Sequence, residues 1–260
     1  GGGGAGGGKQ EVDAYPSLAL ALAEAAQAGQ RVVLMADPRT LTLPWEALPS
    51  LRQKVGNPLP LVTRDLGVHM LLSRAAAAGG EMAPKADPAA TTFIVDPVWE
   101  DEESTASENP RDGSRNAFEA FQKRAKAASQ WKGVPGWASV PSEADWEGCL
   151  TTAKAAKAGA RGAFVYYGPG RVGAHFLPSR LPTLDLSNAG AVVLLDRYFN
   201  DTCFRRQTQL DNMKKGHEIA LEGPEELAAL LSLAGAGAVA LPQWAGSAFE
   251  RLAALGGLAA

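Results

Sequence analysis

The chain has 260 residues, 46% of them hydrophobic, with a formal net charge of −3. That length supports one sizeable core, and the weak negative charge offers no field to hold phosphates, so nucleic acid is excluded as an expected partner. No apolar run approaches the length needed to cross a bilayer, and two cysteines, Cys149 and Cys203, are too few for a disulfide framework, which points to a reducing, cytoplasmic compartment and no membrane partner.

Residues 1–14 open on GGGGAGGGKQ and read as a flexible Gly-rich linker, since glycine without a packing partner costs entropy to order. So abrupt a start fits a piece of a longer protein. Residues 15–260 then read as one domain. Ser17 to Ala28 is Ala- and Leu-rich and stops at Gly29, the pattern of a helix. RVVLMAD, residues 31–37, is a short β-branched apolar run and predicts a buried strand. Arg39 to Pro49 is punctuated by Pro44 and Pro49 and predicts a loop. A brief strand is expected at Leu59 to Val62 and a helix at Val68 to Ala78.

Thr91 to Val95 (TTFIV) is a second clear strand, ended by Asp96-Pro97. The acidic, turn-rich segment Asp101 to Gly113 predicts an exposed loop. Arg115 to Gln130 carries Ala117, Phe118, Phe121 and Ala125 at helical spacing and predicts an amphipathic helix. A Trp-Gly-Pro stretch, WKGVPGWASVP, follows. Ser142 caps a helix running to Lys157, with Trp146, Cys149, Leu150 and Ala153 on one face. Strands are expected at Ala163 to Tyr167 (AFVYY), Ala191 to Leu195 (AVVLL) and Ala236 to Leu241, and helices at Pro224 to Leu233 and Phe249 to Leu255. Short apolar strands alternating with helices predict an α/β fold, a mostly parallel sheet covered on both faces.

Gly168-Pro169-Gly170-Arg171-Val172-Gly173 spells GxGxxG directly after a strand. A dinucleotide site needs a helix to begin there, and Pro178 and Pro182 oppose one. A Gly-rich strand-end loop is the favoured reading, with a nucleotide-binding module as an alternative. His69, His175 and His217 are scattered and lack ligand spacing with either cysteine, so no metal and no cofactor is expected. His69 is expected to be a half-buried helix residue. Cys149 is expected to pack as a small hydrophobe. Cys203 is read as a partly exposed structural thiol, although Arg205 and Arg206 could lower its pKa. Trp146 is expected to anchor its helix to the core, and the role of Trp131 stays open between anchor and binding surface.

Taken in order, several segments resemble the separase-like, caspase-like (CHAT-type) cysteine peptidases: LTLPWEALP, TTFIVDP, FEAFQKRAKAASQWKGVPGWASVPS, FVYYGPG, AVVLLDRYFND and LLSLAGAGAVALPQWAG. The resemblance covers roughly residues 31 to 245. It implies a caspase-like three-layer sandwich. It also implies that the strand ending in FVYYGPG would carry the catalytic His and the one ending in AVVLLDRYFND the nucleophilic Cys. Those positions fall on Pro169 and Arg197. Proline has no side-chain proton to exchange, and a guanidinium stays protonated. The nearest His and Cys, His175 and Cys203, each lie six residues further along. The resemblance therefore implies a domain without catalysis, a pseudoenzyme. The alternative is an active cysteine peptidase using Cys203 with His175 or His217.

A narrower resemblance rests on VTRDLGVHMLLSR and the degenerate site, and is to the C-terminal region of a large cilium- and flagellum-associated protein family of the axonemal central apparatus. It implies a scaffold domain whose partners are other axonemal central-apparatus proteins. The expected contact residues line the former cleft: Leu43 to Glu46 with Trp45 and Glu46, then Gly168, Gly170 and Arg171, then Asp196, Arg197 and Tyr198.

Overall fold

The computed structural model describes residues 32–35, 40, 43, 45, 62–77, 86–96, 110–125, 128–136, 138–151, 161–199, 201–247, 250–251 and 253–254. The chain divides into two units, residues 1–71 and 72–260. The expected linker at 1–14 and the helix at 17–28 lie outside the described residues.

In the first unit, strand β1 (Val32–Met35) pairs in parallel with β2 (Val62–Asp65), Val32 facing Val62 and Met35 facing Asp65. Two expectations change here. β1 is half-buried, with Met35 43% exposed, where a fully buried strand was predicted. The second strand continues past its predicted end, because parallel pairing to β1 recruits the polar residues Thr63 to Asp65, while positions 59–61 of the prediction lie outside the described residues. Helix α1 (Val68–Ala77) follows as predicted and ends in the second unit. His69 on it is exposed, which corrects the half-buried reading.

The second unit is built on five parallel strands: β3 (Ala86–Val95), β4 (Lys132–Pro135), β5 (Arg161–Tyr167), β6 (Ala189–Leu195) and β7 (Val239–Ala240). Their order across the sheet is β4-β3-β5-β6-β7. Side-chain alternation along the central strands explains the layers. Phe164 and Tyr166 of β5 and Val192 and Leu194 of β6 face one core, with Ile94 of β3. Val165 and Tyr167, with Val193 and Leu195, face the other.

Helices cover both faces, as predicted for an α/β sandwich. Helix α2 (Pro110–Arg124) brings Phe118 and Phe121 to the second core. Helix α3 (Glu143–Thr151) brings Trp146, Cys149 and Leu150 to the first. Helices α4 (Asp201–Asn212), α5 (Gly216–Ala220) and α6 (Pro224–Leu233) follow β6, and Leu227 and Leu231 of α6 join the first core. Trp146 stacks on Tyr166 with ring centroids 5.6 Å apart, so it is the anchor it was expected to be. Trp131 is also an anchor: its indole N–H donates to the Pro88 carbonyl at 2.8 Å, and its ring lies 5.3 Å from Phe121.

Several boundaries move. β3 starts five residues before its predicted first residue, across a register shift between Ala86 and Thr91. Helix α2 begins inside the predicted acidic loop, at Pro110, a residue suited to a first helical turn. It ends at Arg124, and Ala128–Gln130 forms a separate 3-10 turn. The Trp-Gly-Pro stretch contains strand β4, an element its sequence does not predict. Ser142 caps α3 as predicted, its hydroxyl accepting the Asp145 N–H at 3.2 Å. Helix α4 runs through Cys203, a stretch to which the sequence reading assigns no element. The last strand is shorter than predicted, covering only Val239 and Ala240.

Candidate functional site

The last register pair of β5 and β6 is Tyr167 with Leu195. Pro169 and Arg197 therefore stand at the same step beyond two neighbouring strands. The backbone keeps the two tips together. Arg197 N–H donates to the Gly170 carbonyl at 2.6 Å, and Gly170 N–H donates to the Tyr198 carbonyl at 2.9 Å. Gly246 N–H then donates to the Arg197 carbonyl at 3.0 Å. Gly170 has φ 76° and Arg197 φ 61°. The left-handed region costs an L-residue about 1–2 kcal/mol, so the packing around Arg197 holds it against that cost.

Both arginines of the site turn inward. The Arg197 guanidinium donates to the Glu222 carbonyl at 2.8 Å, and its Nε lies 3.9 Å from Asp196 Oδ1. Arg171 donates from Nε to Glu222 Oε2 at 2.9 Å and from a terminal nitrogen to Asp211 Oδ1 at 2.5 Å. Lys214 Nζ donates to the other Glu222 oxygen. Gln207 Nε2 donates to Asp211 Oδ1 at 3.1 Å. Glu222 is 2% exposed, so this carboxylate joins the β5 loop to the α4–α5 turn from inside the protein.

Of the expected contact residues, the structure brings Gly168, Gly170, Arg171, Asp196, Arg197 and Tyr198 together. Gly168, Gly170, Asp196 and Tyr198 are buried, and the Arg171 and Arg197 side chains are 18% and 14% exposed. Trp45 belongs to the first unit, where its indole donates to the Thr40 carbonyl at 2.8 Å; Glu46 lies outside the described residues.

The backbone amides that a phosphate would need are already used. Gly168 N–H bonds the Leu195 carbonyl, Gly170 N–H that of Tyr198, Arg171 N–H the Gln207 side chain at 3.4 Å, and Val172 N–H the Asp196 carboxylate at 3.0 Å. No α-helix starts at Val172; Val172–Ala174 and Pro178–Thr183 are 3-10 turns. The features by which a GxGxxG loop grips a pyrophosphate are thus absent from this loop.

The nearest thiol and imidazole have the wrong charges for a thiolate–imidazolium pair. Burial, with Asp96 adding to it and Arg206 opposing, pushes the Cys203 thiol up to about 11. Burial pulls His175 down to about 4, against its bond to the Pro169 backbone and with Arg206 and Lys214 nearby. A thiol held protonated is a poor nucleophile, and an imidazole this hard to protonate is a weak base for it. Cys149 is likewise pushed up to about 11 by burial, as fits a packed hydrophobe. Among the described residues no group of three or more His, Cys, Asp or Glu is placed to hold a metal ion.

Sequence reasoning missed Glu222, Asp211 and Lys214. Glu222 precedes Gly223-Pro224, and nothing in its spacing separates it from Glu225 and Glu226 of the first turn of α6.

No family model matches the chain. The chain is similar to a cilia- and flagella-associated protein. It is 30% identical over 230 residues to cilia- and flagella-associated protein 46 of Chlamydomonas reinhardtii. The match takes in 79% of the chain and 8% of that protein's length. The likeness thus covers most of this chain and a small part of a much longer relative, the same kind of protein that the narrower sequence resemblance pointed to.

Proposed function

We propose that this chain is a non-catalytic structural domain of a cilium- or flagellum-associated protein, a pseudo-peptidase related to the separase-like cysteine peptidases. Its role is to dock onto neighbouring proteins of the axonemal central apparatus and help hold an assembly there. The observation that carries this reading is the pair of strand tips, where Pro169 and Arg197 stand at matching steps and the two tips are bonded to each other; the peptidase resemblance would put an imidazole and a thiol at these two positions. Neither side chain can serve as base or nucleophile at neutral pH. The similarity to a relative named for cilia and flagella supports the location. The raised Cys203 and lowered His175 weigh against a relocated catalytic pair.

The contact surface of this reading lies around the same strand tips. Arg171 and Arg197 are committed inside, but Phe199 and Phe204, just after Arg197, are 40% and 63% exposed. Trp244, just before Gly246, is 55% exposed. Aromatic side chains, phenylalanine and tryptophan included, are enriched where proteins meet. A tagged copy expressed in ciliated cells is expected to stay with the axoneme after detergent extraction. The double substitution Phe204→Glu, Trp244→Glu is expected to release it. Recovery of the unmodified chain wholly in the detergent-soluble fraction would overturn the proposal.

A further inference from the structure

Around the 169–175 loop, three side-chain atoms are shielded from solvent and make no hydrogen bond among the described residues: the Tyr166 hydroxyl, His175 Nε2 and Asp196 Oδ1. Arg197 Nε, 3.9 Å from Asp196 Oδ1, is too distant to count as a donor. Leaving such groups unpaired costs about 1–3 kcal/mol each.

The three groups share one place in the fold. Tyr166 faces Leu194 in the register, and Asp196 is two residues beyond Leu194, on the same side of the sheet by alternation. Asp196 Oδ2 accepts the Val172 N–H, and Val172 packs in the same apolar cluster as Tyr166 and Leu194. The His175 ring neighbours that of Tyr166, with centroids 6.5 Å apart. Burial holds the Tyr166 hydroxyl well above its usual pKa, and among the neighbouring charges Asp196 contributes most. The spot is at the carboxyl ends of the strands, next to the reversal of strand order at β3, where parallel sheets place ligands.

The donor and acceptor count identifies the ligand class. His175 bonds the Pro169 backbone, and proline offers only its carbonyl there. Since Nε2 is the nitrogen without a partner, Nδ1–H is the donor and Nε2 carries a lone pair. Asp196 Oδ1 is a second acceptor. The Tyr166 hydroxyl has one hydrogen and can serve only one of the two. A species with two hydrogens to donate and a lone pair to accept satisfies all three. We infer that Tyr166, His175 and Asp196 enclose a binding site for one water molecule, which donates to His175 Nε2 and Asp196 Oδ1 and accepts from the Tyr166 hydroxyl.

Such a water ties the 169–175 loop to the sheet, so that a hydrated joint holds the loop down. The inference is independent of the scaffold reading and holds whether or not the chain cleaves peptides. A crystal structure of this chain at about 1.2 Å or better tests it, because protons become visible there. One spherical peak within about 2.5–3.2 Å of all three atoms is expected. Contacts near about 2.0–2.2 Å with an anomalous signal would identify a metal and overturn the inference. Direct bonding among the three side chains with no peak would overturn it too. In solution, nitrogen NMR at pH 7 is expected to find His175 protonated at Nδ1 and bare at Nε2; a protonated Nε2 contradicts the donor count.

Discussion

Glu222 carries more of the site than any residue the sequence made conspicuous. Its two carboxylate oxygens serve Arg171 and Lys214, and its carbonyl serves Arg197. Removing one partner from a buried ionic cluster leaves the remaining charges uncompensated, at about 3–5 kcal/mol. Glu222→Ala is therefore expected to lower stability by roughly that amount in urea unfolding, and a loss below about 1 kcal/mol would show the cluster to be ornamental. Gly170 is constrained differently. At φ 76°, an added Cβ would sit 3.2 Å from Cys203 Sγ and from Gln207 Oε1. Gly170→Ala should cost about 1–2 kcal/mol from the backbone alone; unchanged unfolding would mean the loop is free to take another conformation.

His175 sets a pH dependence at the same scale. Burial lowers its folded pKa to about 4 from 6.5. Above about pH 6.5 both folded and unfolded states hold neutral imidazole, so the contribution is fully present. Below that, the unfolded chain takes up the proton first, and stability falls progressively until the folded state protonates near pH 4. The loss is up to about 3 kcal/mol at 1.36 kcal/mol per pKa unit. Asp196 works in the opposite direction: burial raises its carboxyl, so its protonation favours the folded state as pH falls. Comparing urea unfolding of the chain with His175→Gln at pH 7 and pH 5 isolates the histidine. The substituted chain is expected to lose less stability over that interval, and equal losses would contradict the assignment.

At the scale of elements, the central strands were legible because they are buried on both faces. AFVYY and AVVLL are continuous apolar runs, and a strand between two cores has no polar side to show. Helix α2 was legible through Phe118 and Phe121, its inward stripe. Phe118 is 1% exposed and its ring is 4.9 Å from that of Phe93. Phe118→Ala should cost about 3–5 kcal/mol in thermal or urea unfolding, and a much smaller loss would mean α2 is not a wall of this core. Strand β4 gave no such signal. KGVP contains a glycine and a proline and sits at the sheet edge, and a Cβ at 133 would collide with the Phe93 carbonyl. Its pairing with β3 selects glycine there for space, which no local propensity reveals. Helix α4 was missed for a related reason. Its inward contacts include Cys203 and Gln207 beside Gly170, a seam too polar to read as an amphipathic stripe.

At the scale of the molecule, the second unit is a parallel sheet between two helical layers, as alternating strands and helices predicted. The strand tips at Pro169 and Arg197 were also legible, because they depend only on where two unmistakable strands end. What fills the space around those tips was not legible. The pairing of Arg171 with Glu222 spans 51 positions and that of Arg197 with the Glu222 carbonyl spans 25, and no short-range pattern announces such contacts. The central claim is that this arrangement supports assembly without peptide-bond chemistry. It is tested most directly by treating the purified chain with a thiol-directed peptidyl probe at neutral pH and reading intact mass and peptide cleavage together. The account predicts no probe adduct at Cys203 and no cleavage. An adduct at Cys203, with cleavage abolished by Cys203→Ala, would contradict it.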